Sequence, residues 1–137
     1  MVGRSAERLA EIIRAFNPSY IIFVKGNNEK LYNKYISWYI KPSKGVIALR
    51  ATLRCNNPPV NNYIMTNKFF IETGNLAIVG ANERAVVFND VTKTGETVRA
   101  IKGYLIGLCG ASPDKILTCG FITDIYWHAC SETGLLL

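Results

Sequence analysis

The chain has a single histidine, His128, and its four cysteines, Cys55, Cys109, Cys119 and Cys130, include no C-x-x-C pair. A tetrahedral zinc site wants paired ligands at short spacing, so no metal is expected, and nothing in the sequence calls for another cofactor. No apolar run reaches the roughly 18 to 20 residues that a membrane span needs. The first residues, Met-Val-Gly-Arg-Ser-Ala-Glu-Arg, alternate charges and lack the apolar centre of a secretory leader. These absences lead to the expectation of a cytoplasmic protein whose cysteines act as small buried hydrophobes and not as disulfides. Clustered carboxylates and a glycine-rich phosphate loop are also missing. Cys119, Asp124 and His128 form the one conceivable catalytic constellation. On a helix, spacings of five and four residues leave Cys119 and His128 on different sides. An enzyme is therefore not expected.

Acidic residues are scarce too. Asp and Glu total 10 against 16 Lys and Arg, for a formal net charge of +6. Such an excess favours acidic partners, whether nucleic acid, anionic lipid or an acidic protein face. The cations are spread along the chain with no RNP-like motif, which argues against nucleic acid. What the chain has in quantity is hydrophobic residues, 49% of its 137 positions, enough for one domain over 1–137 with one core. A monomer is expected.

Ser5 can cap a helix from Ala6 to about Phe16, with Leu9, Ala10, Ile12, Ile13 and Phe16 on one stripe. Asn17-Pro18 stops it. Tyr20-Ile-Ile-Phe-Val24 reads as a buried strand, Gly26-Asn-Asn28 as a turn, and Lys30 to Tyr35 as the return strand of a hairpin. Pro42 and Ser43 open a second helix, about Lys44 to Arg54, with Val46, Leu49 and Leu53 on one face. Cys55 to Asn62, with two prolines and four asparagines, is a loop. Five strand signals follow: Lys68–Glu72, Leu76–Ala81, Arg84–Asn89, Glu96–Ile101 and Tyr104–Cys109. Their short connections join antiparallel neighbours, because a parallel pair needs a long crossover. Ser112-Pro113-Asp114 reads as the start of a last helix that runs to about Glu132.

The order of elements, with helices at both ends and a hairpin before the middle helix, resembles profilin. The run Phe69-Phe-Ile-Glu-Thr-Gly-Asn-Leu-Ala-Ile-Val79, followed by Gly-Ala-Asn-Glu-Arg-Ala-Val-Val-Phe88, is similar to the aromatic strand, glycine turn and Ala-Val-Ile strand of plant members. Thr97-Val-Arg-Ala-Ile-Lys-Gly-Tyr-Leu-Ile-Gly-Leu108, Ser112-Pro113, Lys41-Pro42 and the hairpin Tyr20 to Tyr32 also look like family segments. The resemblance covers nearly the whole chain and suits a distant member such as an archaeal profilin. It implies an α+β domain whose antiparallel sheet has about seven strands. The N- and C-terminal helices would cover one face and the middle helix the other. It also implies an actin-monomer-binding protein of the cytoskeleton that regulates filament assembly and has proline-rich peptides and phosphoinositides as further ligands.

Carried over residue by residue, the actin face would comprise Lys68, Arg84, Phe88, Lys93, Arg99, Lys102, Lys115, Thr118, Phe121 and Asp124. A basic face complements acidic actin, and Phe88 and Phe121 would supply apolar anchors. The polyproline groove would be rebuilt from Tyr32, Trp127 and His128, since the first helix lacks the family's aromatics. A roadblock- or longin-like scaffold for a small GTPase is the alternative, because it too packs helices on an antiparallel sheet.

Overall fold

The computed structural model describes residues 2–92, 95–122 and 135–136. Helix α1 (Val2–Phe16) leads into strand β1 (Tyr20–Val24), helix α2 (Asn27–Leu31) and a π-helical turn over Tyr32–Ile36. Strands β2 (Gly45–Leu49), β3 (Ala51–Leu53), β4 (Tyr63–Met65) and β5 (Phe69–Glu72) follow. A 3-10 turn over Gly74–Ile78 precedes strand β6 (Ala85–Thr92), helix α3 (Glu96–Gly107), strand β7 (Ile116–Ile122) and strand β8 (Leu135–Leu136).

Among the described residues the main sheet has five strands in the order β2-β1-β6-β7-β8, and every pairing in it is parallel. A smaller antiparallel sheet, ordered β3-β5-β4, stands beside it. This overturns the profilin-like expectation of about seven antiparallel strands, and the roadblock- or longin-like alternative falls with it. The physical reason lies in the crossovers. Residues after β1 coil into α2 and the π turn before β2, and residues after β6 coil into α3 before β7, so each connection is long enough to return the chain in the same direction.

Both faces of the main sheet are covered, which explains its uninterrupted apolar strands. Side chains alternate along a strand. Tyr20 and Ile22 of β1 and Ala85 and Val87 of β6 point into one core with Val98, Ile101 and Leu105 of α3. Ile21 and Phe23 of β1 and Val86 and Phe88 of β6 point into the other, with Leu9, Ala10 and Ile13 of α1 and with Tyr32 and Ile36. Tyr32 packs its ring 5.3 Å from Phe23 and 6.3 Å from Phe88. Burying a side chain such as Phe88 contributes roughly 1.5–3 kcal/mol.

Several local expectations change accordingly. Lys30 to Tyr35 is helical, not the return strand of a hairpin. Lys44 to Arg54 holds β2 and β3 in place of a middle helix. In β2 the alternation of Ile47 and Leu49 inward with Val46 outward wins over the helical spacing of Val46, Leu49 and Leu53. Glu96 to Gly107 is one helix where two strands were expected, because Val98, Ile101 and Leu105 bury one helical stripe. The expected last helix is, as far as residue 122, a 3-10 turn over Pro113–Lys115 and then β7; its remainder lies outside the described residues. The expectation for α1 agrees at its end, Phe16, and in its buried stripe of Leu9, Ala10 and Ile13.

Candidate functional site

With all its strands parallel, the main sheet has one edge where strands end and helices begin. From β1 the chain moves outward to β2, and from β6 it moves the other way to β7, so the direction of winding reverses between β1 and β6. In open α/β sheets that reversal leaves a crevice beyond the strand ends, because the two connections depart to opposite faces.

A cavity of about 320 Å³ occupies this place. Val24, Ala51, Phe69 and Ile71 form an apolar floor, and Lys25, Asn28, Asn89 and Thr97 form a polar rim. Each rim residue stands at or near the end of an element: Lys25 after β1, Asn28 in α2, Asn89 in β6 and Thr97 in the first turn of α3. β1 ends at Val24, and the Asn28 side-chain amide donates to the Val24 carbonyl at 2.9 Å, which curls the chain back over the strand end. Between them Gly26 holds φ 117° and ψ −131°, a conformation that side-chain-bearing residues adopt only with strain. The Lys25 amide donates to the Leu49 carbonyl at 2.9 Å, so Lys25 is anchored to β2 at its backbone.

On the other side, β6 runs out through Asn89 to Thr92, and Gly95 caps α3. The sequence across this junction, Asn89-Asp-Val-Thr-Lys-Thr-Gly-Glu-Thr97, is rich in hydroxyls and ends on a helix start. Thr97 lines the cavity, so the first turn of α3 borders it. A helix start offers backbone N–H groups and the positive end of the helix dipole, both suited to an anion. Glu96 Oε1 accepts a bond of 3.1 Å from the Asn67 amide, which ties the β4–β5 turn to this helix start.

Close approach of β6 and β7 is needed here. A register shift falls between Asn89 and Val91, and opposite Asn89 stands Gly120. A Cβ on Gly120 would lie 2.2 Å from the Asn89 carbonyl oxygen, so only glycine fits.

A second cavity of about 310 Å³ adjoins the first through Lys25. Arg50, Asn61, Asn62, Glu72 and Asn75 give it a polar lining. Arg50 follows directly on β2, and Asn61 and Asn62 belong to the loop between β3 and β4. Among the described residues, two cations, Lys25 and Arg50, therefore sit around the strand ends with the side-chain amides of Asn28, Asn61, Asn62, Asn75 and Asn89.

Among the described residues, those expected to form an actin face do not assemble on one surface. Phe88 and Thr118 are buried in the sheet, at 1% exposure each, and cannot anchor a partner. Arg84 stands before β6 and donates from Nε to the Asn17 carbonyl, and Lys115 stands before β7; both lie at the opposite edge of the sheet. Arg99 and Lys102 are on α3, and Lys68 is in the β4–β5 turn. Phe121 lies in β7, while Lys93 and Asp124 lie outside the described residues. Of the expected polyproline residues, Tyr32 is 4% exposed in the core, where burial raises its phenol pKa, and Trp127 and His128 are outside the described residues. Cys119 is in β7, not a helix, and burial pushes its thiol pKa far up.

Sequence reasoning missed Lys25, Gly26, Asn28, Arg50, Asn89 and Thr97. A signal was present: an apolar strand, Ala85 to Phe88, then a Thr- and Gly-containing turn, then the helical spacing of Val98, Ile101 and Leu105.

No protein-family model matches the sequence, and no curated protein does. Solved structures do match in fold. APRTase from Giardia lamblia, complexed with 9-deazaadenine, is 12% identical with a TM-score of 0.59 over 93% of this chain and 69% of that one. Adenine phosphoribosyltransferase from Thermoanaerobacter pseudethanolicus is 16% identical with a TM-score of 0.57 over 98% of this chain and 77% of that one. The Trypanosoma brucei adenine phosphoribosyl transferase, in complex with AMP, pyrophosphate and ribose-5-phosphate, is 14% identical with a TM-score of 0.57, over 96% of this chain and 63% of that one. The fold is thus the one shared by adenine phosphoribosyltransferases. Actin, proline-rich peptides and phosphoinositides lose their basis as partners with the profilin fold, and so does a cytoskeletal role. The expectation of a non-enzyme is likewise overturned, since the scaffold is that of a group of enzymes.

Proposed function

We propose that this chain is a phosphoribosyltransferase that binds 5-phosphoribosyl 1-pyrophosphate in the crevice between β1 and β6 and transfers the phosphoribosyl group to a nitrogenous base. The observation that carries this reading is the crevice itself. One sheet edge holds a cationic turn at Lys25-Gly26 and a helix start at Gly95-Glu96, with a cavity of about 320 Å³ between them. Such a ligand has two anionic ends joined by a polar sugar, and the site offers two anion-favouring elements joined by a polar rim. The neighbouring structures, one of which holds AMP, pyrophosphate and ribose-5-phosphate, support the same reading.

The chain's residues then divide the work. The first turn of α3 receives the 5-phosphate through backbone N–H groups. The Asn89 amide meets ribose hydroxyls. Lys25, with Arg50 in the adjoining cavity, faces the pyrophosphate. In the transfer, the bond between the anomeric carbon and the pyrophosphate oxygen breaks, and its electron pair leaves with the pyrophosphate. A ring nitrogen of the base forms the new bond to that carbon and loses its proton to solvent. Cations preorganised where negative charge accumulates on the leaving group lower this barrier, because they need no rearrangement during reaction. Adenine is the first base to try, given the neighbours. The cytoplasm is the proposed location.

The test is an assay of nucleotide and pyrophosphate formation from 5-phosphoribosyl 1-pyrophosphate with a panel of purine and pyrimidine bases. Turnover with one base, lost in Lys25→Ala, is the expected result. Lack of both turnover and binding would refute the reading.

A further inference from the structure

We propose that Glu72 is an internal stand-in for the ligand's anion, a carboxylate that occupies Arg50 in the free protein and latches the β3–β4 loop until pyrophosphate displaces it. This rests on the phosphoribosyl reading of the neighbouring crevice and adds a gate to it.

Glu72 spends its two oxygens on two different elements. Oε2 lies 3.5 Å from Arg50 Nε, at the junction of β2 and β3. Oε1 accepts from the Asn61 amide at 3.3 Å, in the loop between β3 and β4. All three residues line the cavity of about 310 Å³ that Lys25 shares with the crevice. The Arg50 side chain is 73% exposed and that of Glu72 is 22% exposed, so the guanidinium faces incoming solutes while the carboxylate sits behind it. Among the described residues that line this cavity, which otherwise offer two cations and several amides, this carboxylate is the one group that repels an anion. Its backbone position does not depend on that charge, since the Glu72 amide donates to the Arg50 carbonyl at 2.9 Å. The carboxylate can therefore turn aside while the strand stays in place. Capture of Arg50 by pyrophosphate also removes one of the two anchors that hold Glu72 against the loop, so occupancy of the anion subsite and the hold on Asn61 are linked.

The experiment is calorimetric titration of inorganic pyrophosphate into the full chain and its variants. Glu72→Gln, which keeps shape and removes charge, is expected to tighten binding about tenfold. Arg50→Gln is expected to weaken it about fivefold, and in the double variant the gain from Glu72→Gln shrinks to about twofold, a coupling that a merely structural role would not produce. Asn61→Ala, in the exposed loop, loosens the same latch and is expected to tighten binding about twofold. It serves as the second test should Glu72→Gln not fold. Equal or weaker binding by Glu72→Gln, or an unchanged affinity in Asn61→Ala, overturns the gate and leaves the reading of the crevice standing. Failure of both the unaltered chain and Glu72→Gln to bind pyrophosphate overturns that reading, and the gate with it.

Discussion

The two edges of the parallel sheet carry similar charges and use them differently. At the edge where strands begin, cations are spent on the protein itself. Lys44 pairs with Glu83 at 3.1 Å, and Arg84 donates to the Asn17 carbonyl at 3.1 Å. The same edge is sewn at the backbone, where the Ser19 amide donates to the Arg84 carbonyl and the Lys44 amide to the Ser19 carbonyl. At the edge where strands end, Lys25 and Arg50 line cavities, and the bond that holds Arg50 is a looser 3.5 Å. The difference follows from topology. Where helices begin, amide groups and cations point out of the sheet toward one place, whereas the opposite edge has no reversal of winding to open a crevice. Basic residues thus acquire meaning from the edge they occupy, not from their number.

Substitutions that act at one edge and not the other can break or sharpen this contrast. The largest effect is expected from Gly120→Ala, whose Cβ would collide with the Asn89 backbone. It should cost about 3 kcal/mol in chemical denaturation and abolish ligand binding, because it forces β6 and β7 apart beside the crevice. Next comes Lys25→Ala, expected to weaken 5-phosphoribosyl 1-pyrophosphate binding at least about tenfold in titration with little change in melting temperature. Gly26→Ala meets no atom within 4 Å, so its cost is confined to the backbone conformation, about 1–2 kcal/mol, with a loss of affinity as the turn relaxes. At the other edge Lys44→Met should cost about 0.5 kcal/mol and leave ligand affinity unchanged, since the Lys44 side chain is 54% exposed. The smallest effect is on reactivity. Exposed Cys55 should be labelled by a thiol reagent at pH 8 while Cys119, fully buried in β7, is labelled only after denaturant is added.

The sequence made some of this fold legible and hid the rest for identifiable reasons. Helix α1 was legible because Leu9, Ala10 and Ile13 recur at helical spacing between charged residues. The existence of β1, β5 and β6 was also legible, but the direction of β1 and β6 was misread. Tyr20-Ile-Ile-Phe-Val24 and Ala85-Val-Val-Phe88 lack polar alternation, which is the mark of strands buried on both faces, yet the short turns nearby favoured hairpins. Glu96 to Cys109 looked like strands because Thr97, Val98, Ile101 and Ile106 are β-branched. Packing of Val98, Ile101 and Leu105 against the sheet overrides that local preference. Misreading this helix also hid the site, since a Thr- and Gly-containing turn means little between two strands and much between a strand and a helix. Asn28, Arg50 and Asn89 carry no signal of their own, because they converge only once the parallel order is known.

Residue-resolved NMR during titration of 5-phosphoribosyl 1-pyrophosphate into the full chain tests the central assignment most directly. The account predicts saturable shifts centred on residues 24–28 and 95–98, at the edge where strands end and α3 begins. Shifts centred on 44, 83, 84 and 115, or no saturable change at all, would contradict it.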